Sequence, residues 1–185
     1  MLTVKNLIFD GKNFGGTDIN HGIIDTDGWN VEIENCDFNN CQAQYGGGIF
    51  IKSVDTNSSN KKPYGSLTVR DCNFNNCQSL KATDKYGGGV YFNKGTLTTD
   101  GSGNPVSGFM RITGGSISRS MATNGGGVYL NGDNPSGGVS RVLYMSGGSI
   151  ASNTVSDKGG GIFVGDGNVR IYFSGTPYVY GSTST

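Results

Sequence analysis

The chain has little charge of either sign to spare, no long apolar run and no stretch with apolar residues at helical spacing. Acidic and basic residues balance at 14 each and no basic run occurs. Nucleic-acid phosphates and anionic lipid surfaces both demand an electropositive face, so neither is an expected partner. No stretch approaches the roughly 18 apolar residues of a membrane-spanning helix, so no membrane span is expected in this segment. Met1 is followed at once by the strand-like Leu2-Thr3-Val4, without the charged and apolar regions of a secretory leader. The chain therefore reads as a segment of something longer. His21 is the single histidine and Trp29 the single tryptophan. With one imidazole and no serine or cysteine placed beside it by spacing, no catalytic triad can be assembled, and no catalytic residue is expected.

Only 4 residues are proline, whereas 33 of the 185 are glycine, without the Gly-X-Y period of collagen. The glycines are ordered. Gly46-Gly47-Gly48-Ile49-Phe50, Gly87-Gly88-Gly89-Val90-Tyr91, Gly125-Gly126-Gly127-Val128-Tyr129 and Gly159-Gly160-Gly161-Ile162-Phe163 repeat one phrase at intervals of 41, 38 and 34 residues. A phrase recurring at such intervals is the signature of stacked units. A second phrase precedes each triplet and alternates apolar and polar residues at strand period, as in Val31-Glu32-Ile33-Glu34-Asn35-Cys36-Asp37-Phe38 and Leu67-Thr68-Val69-Arg70-Asp71-Cys72-Asn73-Phe74. Its apolar positions step by two, then three, then two. The extra residue marks a corner between two short strands.

That corner falls on Asn6, Asn35, Asp71, Gly114, Gly147 and Gly175, the residue types that accept left-handed backbone angles at least cost. Each unit then reads as three short strands and two corners, closed by a segment of variable length. Five units with a sixth begun predict an all-β fold: a single-stranded, right-handed parallel β-helix (solenoid) of about five to six coils over residues 1–180, with a flexible tail at 181–185. At strand spacing, six coils make a rod of roughly 25 to 30 Å. The closing segments, residues 52–66, 93–108, 131–141 and 165–168, all follow the triplet strand and so predict one variable edge, the natural place for a binding surface.

Several residues are candidates for chemistry. The triplets are not phosphate loops, because an apolar strand and not a helix follows them. Ile24, Phe50, Tyr91, Tyr129 and Phe163 occupy the outward place of the triplet strand, where aromatic rings either form a platform for sugar rings or stabilise the sheet under the closing segments. Phe50, Tyr91, Tyr129 and Phe163 are thus the ligand-binding candidates. Cys36 and Cys41 recur one unit later as Cys72 and Cys77. Parallel strands aim their Cβ atoms the same way, which favours stacked free thiols, with cross-unit disulfides as the alternative. The spacing is not that of a zinc site, so no metal and no cofactor are expected. His21 takes a triplet-glycine position in a degenerate first unit. The charges on the strand phrases, Lys5, Glu32, Glu34, Arg70 and Arg111, are mixed and scattered, as on a solvated face.

The strand phrase followed by Gly-Gly-Gly-Ile/Val resembles the repeats of β-helical bacterial surface proteins of the polymorphic outer-membrane adhesin type, built on Gly-Gly-Ala-Ile/Leu/Val and Phe-x-x-Asn. The first motif matches four times with glycine for alanine, and Ile150-Ala151-Ser152-Asn153 keeps the asparagine of the second. The resemblance implies an extracellular or cell-surface location and an adhesive role, with glycan or a host surface protein as partner. Asp25-Thr26-Asp27-Gly28 also resembles the Asn-Thr-Asp-Gly motif of the polygalacturonase family, on the shared pectate-lyase-like architecture. Inverting glycosidases need two positioned carboxylates, and where that family keeps its Gly-Asp-Asp segment this chain has Gly46-Gly47-Gly48. No Gly-His-Gly occurs, Arg170-Ile171-Tyr172 lacks the family's lysine, and Asp27 reads as a turn residue. The expectation is a non-catalytic stalk or adhesin-like module. The alternatives are a polysaccharide-acting enzyme and a fibre subunit that associates end to end.

Overall fold

The computed structural model describes residues 1–12, 20–52, 65–80, 83, 85–93, 98–132, 141–165 and 168–184. It is all-β, and no helix occurs among these residues. Strands of successive repeats lie side by side in four parallel sheets. Leu2–Lys5, Val31–Glu34, Leu67–Arg70, Phe109–Ile112, Arg141–Met145 and Val169–Phe173 build the first sheet in that order. Past the first corner, Ile8–Asp10, Asp37–Asn39, Cys72–Asn75, Gly115–Ser118, Ser149–Ala151 and Tyr178–Tyr180 build the second. The triplet strands Ile24–Asp27, Ile49–Lys52, Val90–Asn93, Val128–Asn131 and Ile162–Val164 build another.

Between them runs a short sheet that the sequence pattern does not announce. Gln42–Ala43, Gln78–Ser79, Met121–Asn124, Thr154–Lys158 and Thr183–Ser184 pair in parallel order, so a repeat has four strands where the pattern suggests three. Thr183 and Ser184 belong to this sheet, paired with Thr154 and Val155. The additional corner is again left-handed, with φ of 54° at Asn40, 56° at Asn76, 52° at Arg119 and 54° at Ser152. The first corner is left-handed at Asn6, Asn35, Asp71 and Gly175, but where two glycines are available the positive φ moves one place later, from Gly114 to Gly115 and from Gly147 to Gly148. Gly115 aligns with Cys72, and a Cβ there would run into the Cys72 carbonyl. One departure from parallel order lies inside a closing segment, where Thr98–Thr99 and Pro105–Ser107 form an antiparallel pair.

Apart from a register shift in the short sheet between Ala122 and Asn124, pairing between repeats is in register, so like stands on like. Leu2, Val31, Leu67, Met110, Leu143 and Ile171 form one interior column. Phe9, Phe38, Phe74, Ile117, Ile150 and Val179 form another. Ring centroids in the second are 4.7 Å apart for Phe9 and Phe38 and 4.5 Å for Phe38 and Phe74. These columns merge into a single buried cluster running from Ile24 to Ile150. The corners stack too, since Asn35 Nδ2 donates to Asn6 Oδ1 at 2.8 Å and Asn76 Nδ2 to Asn40 Oδ1 at 2.9 Å. Side-chain amides thereby extend the backbone ladder through bends where it would otherwise be interrupted.

The triplet needs glycine at each place for a different reason. Its first residue is left-handed, with φ of 57° at Gly46, 64° at Gly87, 66° at Gly125 and 67° at Gly159. At the second, a Cβ on Gly126 would sit 2.6 Å from the Gly160 carbonyl oxygen; at the third, one on Gly48 would sit 2.8 Å from the Phe74 ring. No side chain fits in this column. Gly126→Ala is expected to destabilise the protein by about 3 kcal/mol in urea unfolding, because the nearest obstacles are backbone atoms that cannot turn aside. Gly101→Ala, where a Cβ meets nothing within 4 Å, is the control, and it should stay within about 0.5 kcal/mol of wild type.

Candidate functional site

The position after each triplet's strand-opening residue carries the aromatic column. Phe50, Tyr91, Tyr129 and Phe163 are in register, one per repeat. Asp25, not Ile24, aligns with Phe50; Ile24 stands on Ile49 and joins the interior, 7% exposed. The first repeat is thus shifted by one residue from the expected outward column. The column is also largely closed: Phe50 is 3%, Tyr91 5% and Tyr129 6% exposed, and only Phe163 is half-buried. A sugar stacks on an open ring face, so Phe50, Tyr91 and Tyr129 do not present the expected platform.

What closes it is a second column, formed by the residue immediately before each triplet. His21 aligns with Tyr45, and Tyr86 with Asn124, which aligns in turn with Lys158. His21 therefore precedes the first repeat's glycine and does not replace one. Its ring lies 4.3 Å from Phe50 and nearly parallel to it. Tyr45 reaches over Phe50 and Tyr91 at 6.2 and 5.9 Å, and Tyr86 over Tyr91 and Tyr129 at 5.6 and 4.5 Å. The result is a second apolar cluster outside the sheet, separate from the interior. Burial pushes the Tyr91 phenol well up from its ordinary pKa. Sequence reasoning missed Tyr45, Tyr86, Asn124 and Lys158. The available signal was their shared place directly before a glycine triplet.

The four cysteines are buried and free. Each thiol donates to the carbonyl two residues back, across a left-handed corner: Cys36 to Glu34 at 3.3 Å, Cys72 to Arg70 at 3.1 Å, Cys41 to Asn39 at 3.5 Å and Cys77 to Asn75 at 3.9 Å. Ser120, which follows Cys77 in register, makes the same bond to Ser118 at 3.3 Å. Asn153 continues the column, with Nδ2 donating to Ile117 O at 3.0 Å and Oδ1 accepting from Ser120 N at 2.9 Å. Thiol and hydroxyl thus add a second donor to carbonyls that already accept a backbone N–H of the preceding repeat, as Glu34 O does from Asn6 N, while the Asn153 amide bonds the backbone of the repeat before it.

The other candidates are dispersed. Lys5 pairs with Glu34 at 2.6 Å and Arg70 with Glu32 at 2.9 Å, both on the open surface, where such pairs add little. Arg111 lies over Phe109 and Tyr144, 5.0 and 5.5 Å from their ring centroids. His21 Nδ1 and Asp25 Oδ2 are 2.8 Å apart. Among the described residues no group of three or more His, Cys, Asp or Glu could hold a metal. Most of the closing segments expected to form a variable edge, residues 53–64, 94–97, 133–140 and 166–167, lie outside the described residues.

No known protein family, curated protein or solved structure matches this chain. The site must be read from its own geometry.

Burial raises the Cys72 pKa from 9.0 to about 11. The folded state then keeps a proton that the unfolded chain releases from pH 9 upward, so this contribution is full below pH 9 and lost as pH rises through about 11. Urea unfolding at stepped pH should show stability falling over that interval, and Cys72→Ser should remove the part of the fall that begins at 9. In the native protein iodoacetamide should leave all four thiols unmodified at neutral pH and label them only after unfolding.

Proposed function

We propose that the chain is a right-handed parallel β-helix of five to six coils, serving as a non-catalytic stalk or adhesin-like module of a secreted or cell-surface protein, with glycan or a host surface protein as its partner. Right-handedness is supported by the chirality of parallel crossovers, about 98% of which turn that way because of strand twist. The observation that carries the non-catalytic reading is the glycine column. At Gly46-Gly47-Gly48, where the resemblance to the polygalacturonase family would put its carboxylate pair, a Cβ would meet the Ile49 carbonyl, the Gln78 and Gly88 backbone and the Phe74 ring at under 3 Å, which leaves no room for a side chain. General acid and base chemistry on a glycosidic bond needs two carboxylates facing one substrate. A fold that spends its conformational freedom on an unbroken ladder instead offers a rigid, extended surface.

One observation favours a second reading, stacking of copies end to end. Interior columns end on exposed apolar residues, with Leu2 and Leu7 in the first repeat and Phe173 and Val179 in the last. A parallel edge strand can accept one more coil, whether from a second copy or from further chain.

Polygalacturonan and related polymers incubated with the protein should release neither reducing ends nor unsaturated products; sustained release would replace the module with an enzyme. Displayed on an inert cell, the chain should confer adhesion to a glycan- or host-protein-coated surface. Concentration-dependent rods in electron micrographs, without adhesion, would favour the fibre.

A further inference from the structure

The aromatic roof over the outer column stops part-way along the molecule, and a cavity opens where it stops. His21, Tyr45 and Tyr86 occupy the roof position in the first three repeats, and each ring covers the column residue beneath. The next two residues in register are Asn124 and Lys158. Tyr86 still reaches Tyr129, with ring centroids 4.5 Å apart, but no roof ring follows it over Phe163. Tyr129 and Phe163, 5.2 Å apart, line a cavity of about 320 Å3 together with Tyr86, Asn124, Asp157 and Lys158. Its volume is at the small end of the roughly 300–1,000 Å3 found for small-molecule sites.

The lining has two parts. Phe163 gives a ring that is only partly covered, and Tyr86 and Tyr129 complete the aromatic side. Against them stand an amide, a carboxylate and an ammonium group. The Asn124 side-chain oxygen is buried and has no hydrogen-bond partner. A buried acceptor without a donor is costly.

We infer that this cavity is a binding site for one neutral pyranose unit of a glycan. A pyranose combines an apolar C–H face, which stacks on an aromatic ring, with a rim of hydroxyls that both donate and accept. Phe163 suits the face, while Asn124, Asp157 and Lys158 between them offer acceptors and donors for neighbouring hydroxyls. The lining carries one carboxylate, Asp157, and one ammonium group, Lys158, so its net charge is zero and it exerts no net attraction on a uronate or an amino sugar over a neutral one. The inference rests on the adhesin-like reading above and gives it a site and a ligand class. It also moves that site from the whole aromatic column to its unroofed end.

Asn124→Tyr tests it by completing the roof. The residue before two of the triplets is already tyrosine in the same register, so the variant should fold, with a melting temperature equal to or above that of wild type. On an array of neutral, uronic and amino glycans the wild-type chain should retain neutral pyranose-bearing glycans. By calorimetry with a retained glycan, Asn124→Tyr and Phe163→Ala should each weaken binding by about tenfold or more, the latter through loss of the stacking ring. Binding within about twofold of wild type in both folded variants overturns the cavity and leaves the adhesin-like reading standing, with the glycan held elsewhere. No retention of any neutral saccharide by wild type also overturns the cavity, while adhesion to host protein in the display assay still supports the wider reading. Depolymerisation of the retained glycan overturns the wider reading itself.

Discussion

Parallel backbone hydrogen bonding between successive repeats, held in register from sheet to sheet, governs everything else in this molecule. It fixes neighbouring strands about 4.8 Å apart and leaves no freedom to slide, so every side chain must tolerate its own equivalent directly above and below. Apolar residues answer by stacking into a continuous interior. Polar corner residues answer by bonding to one another, as Asn35 does to Asn6 and Asn76 to Asn40. Where the backbones themselves approach, only glycine answers. The thiols sit beside the same bends, each adding a second donor to a carbonyl that the neighbouring repeat's backbone already engages.

Much of this was legible in the sequence because the constraint is periodic. Alternation over Val31–Glu34 and Leu67–Arg70 marks their buried residues, and the asparagine, aspartate and glycine corners follow from the cost of left-handed angles in other residues. Features without a local signature were not legible. The short sheet escapes notice because two residues, as in Gln42–Ala43, carry no period, and its corner, asparagine at Asn40 and Asn76, passes to Arg119 and Ser152 in later repeats. The shift from Gly114 to Gly115 is invisible because both are glycine. Ile24 could not be assigned to the interior from a first repeat lacking the triplet. The aromatic column was visible as a set of equivalent positions, but its burial was not, since the covering rings come from a different strand and are brought over it by the stacking of repeats.

The glycine column and the aromatic roof are two outcomes of one rule. Along the first, contact with neighbouring backbone and with interior side chains holds glycine in the four repeats that carry the triplet, and leaves little space there for a functional group. The roof lies outside the sheet, where a ring, an amide or an ammonium group can all be accommodated. Repeats of this kind therefore separate the residues they must keep from those they are free to vary, and chemistry accumulates at the second kind. Asn153 shows that a limited version operates even inside, where an amide replaces a thiol without leaving an unsatisfied group.

The end of the roof at Tyr86 has a consequence for the whole object. A stack of similar units has translational symmetry, and a ligand for one unit would ordinarily be a ligand for all, giving a surface that binds at many heights with no preference. Replacing the roof residue in the later repeats breaks that symmetry. It turns a ruler with identical marks into one with a single marked division, so that a bound chain would be held at a definite height and with a definite direction along the rod.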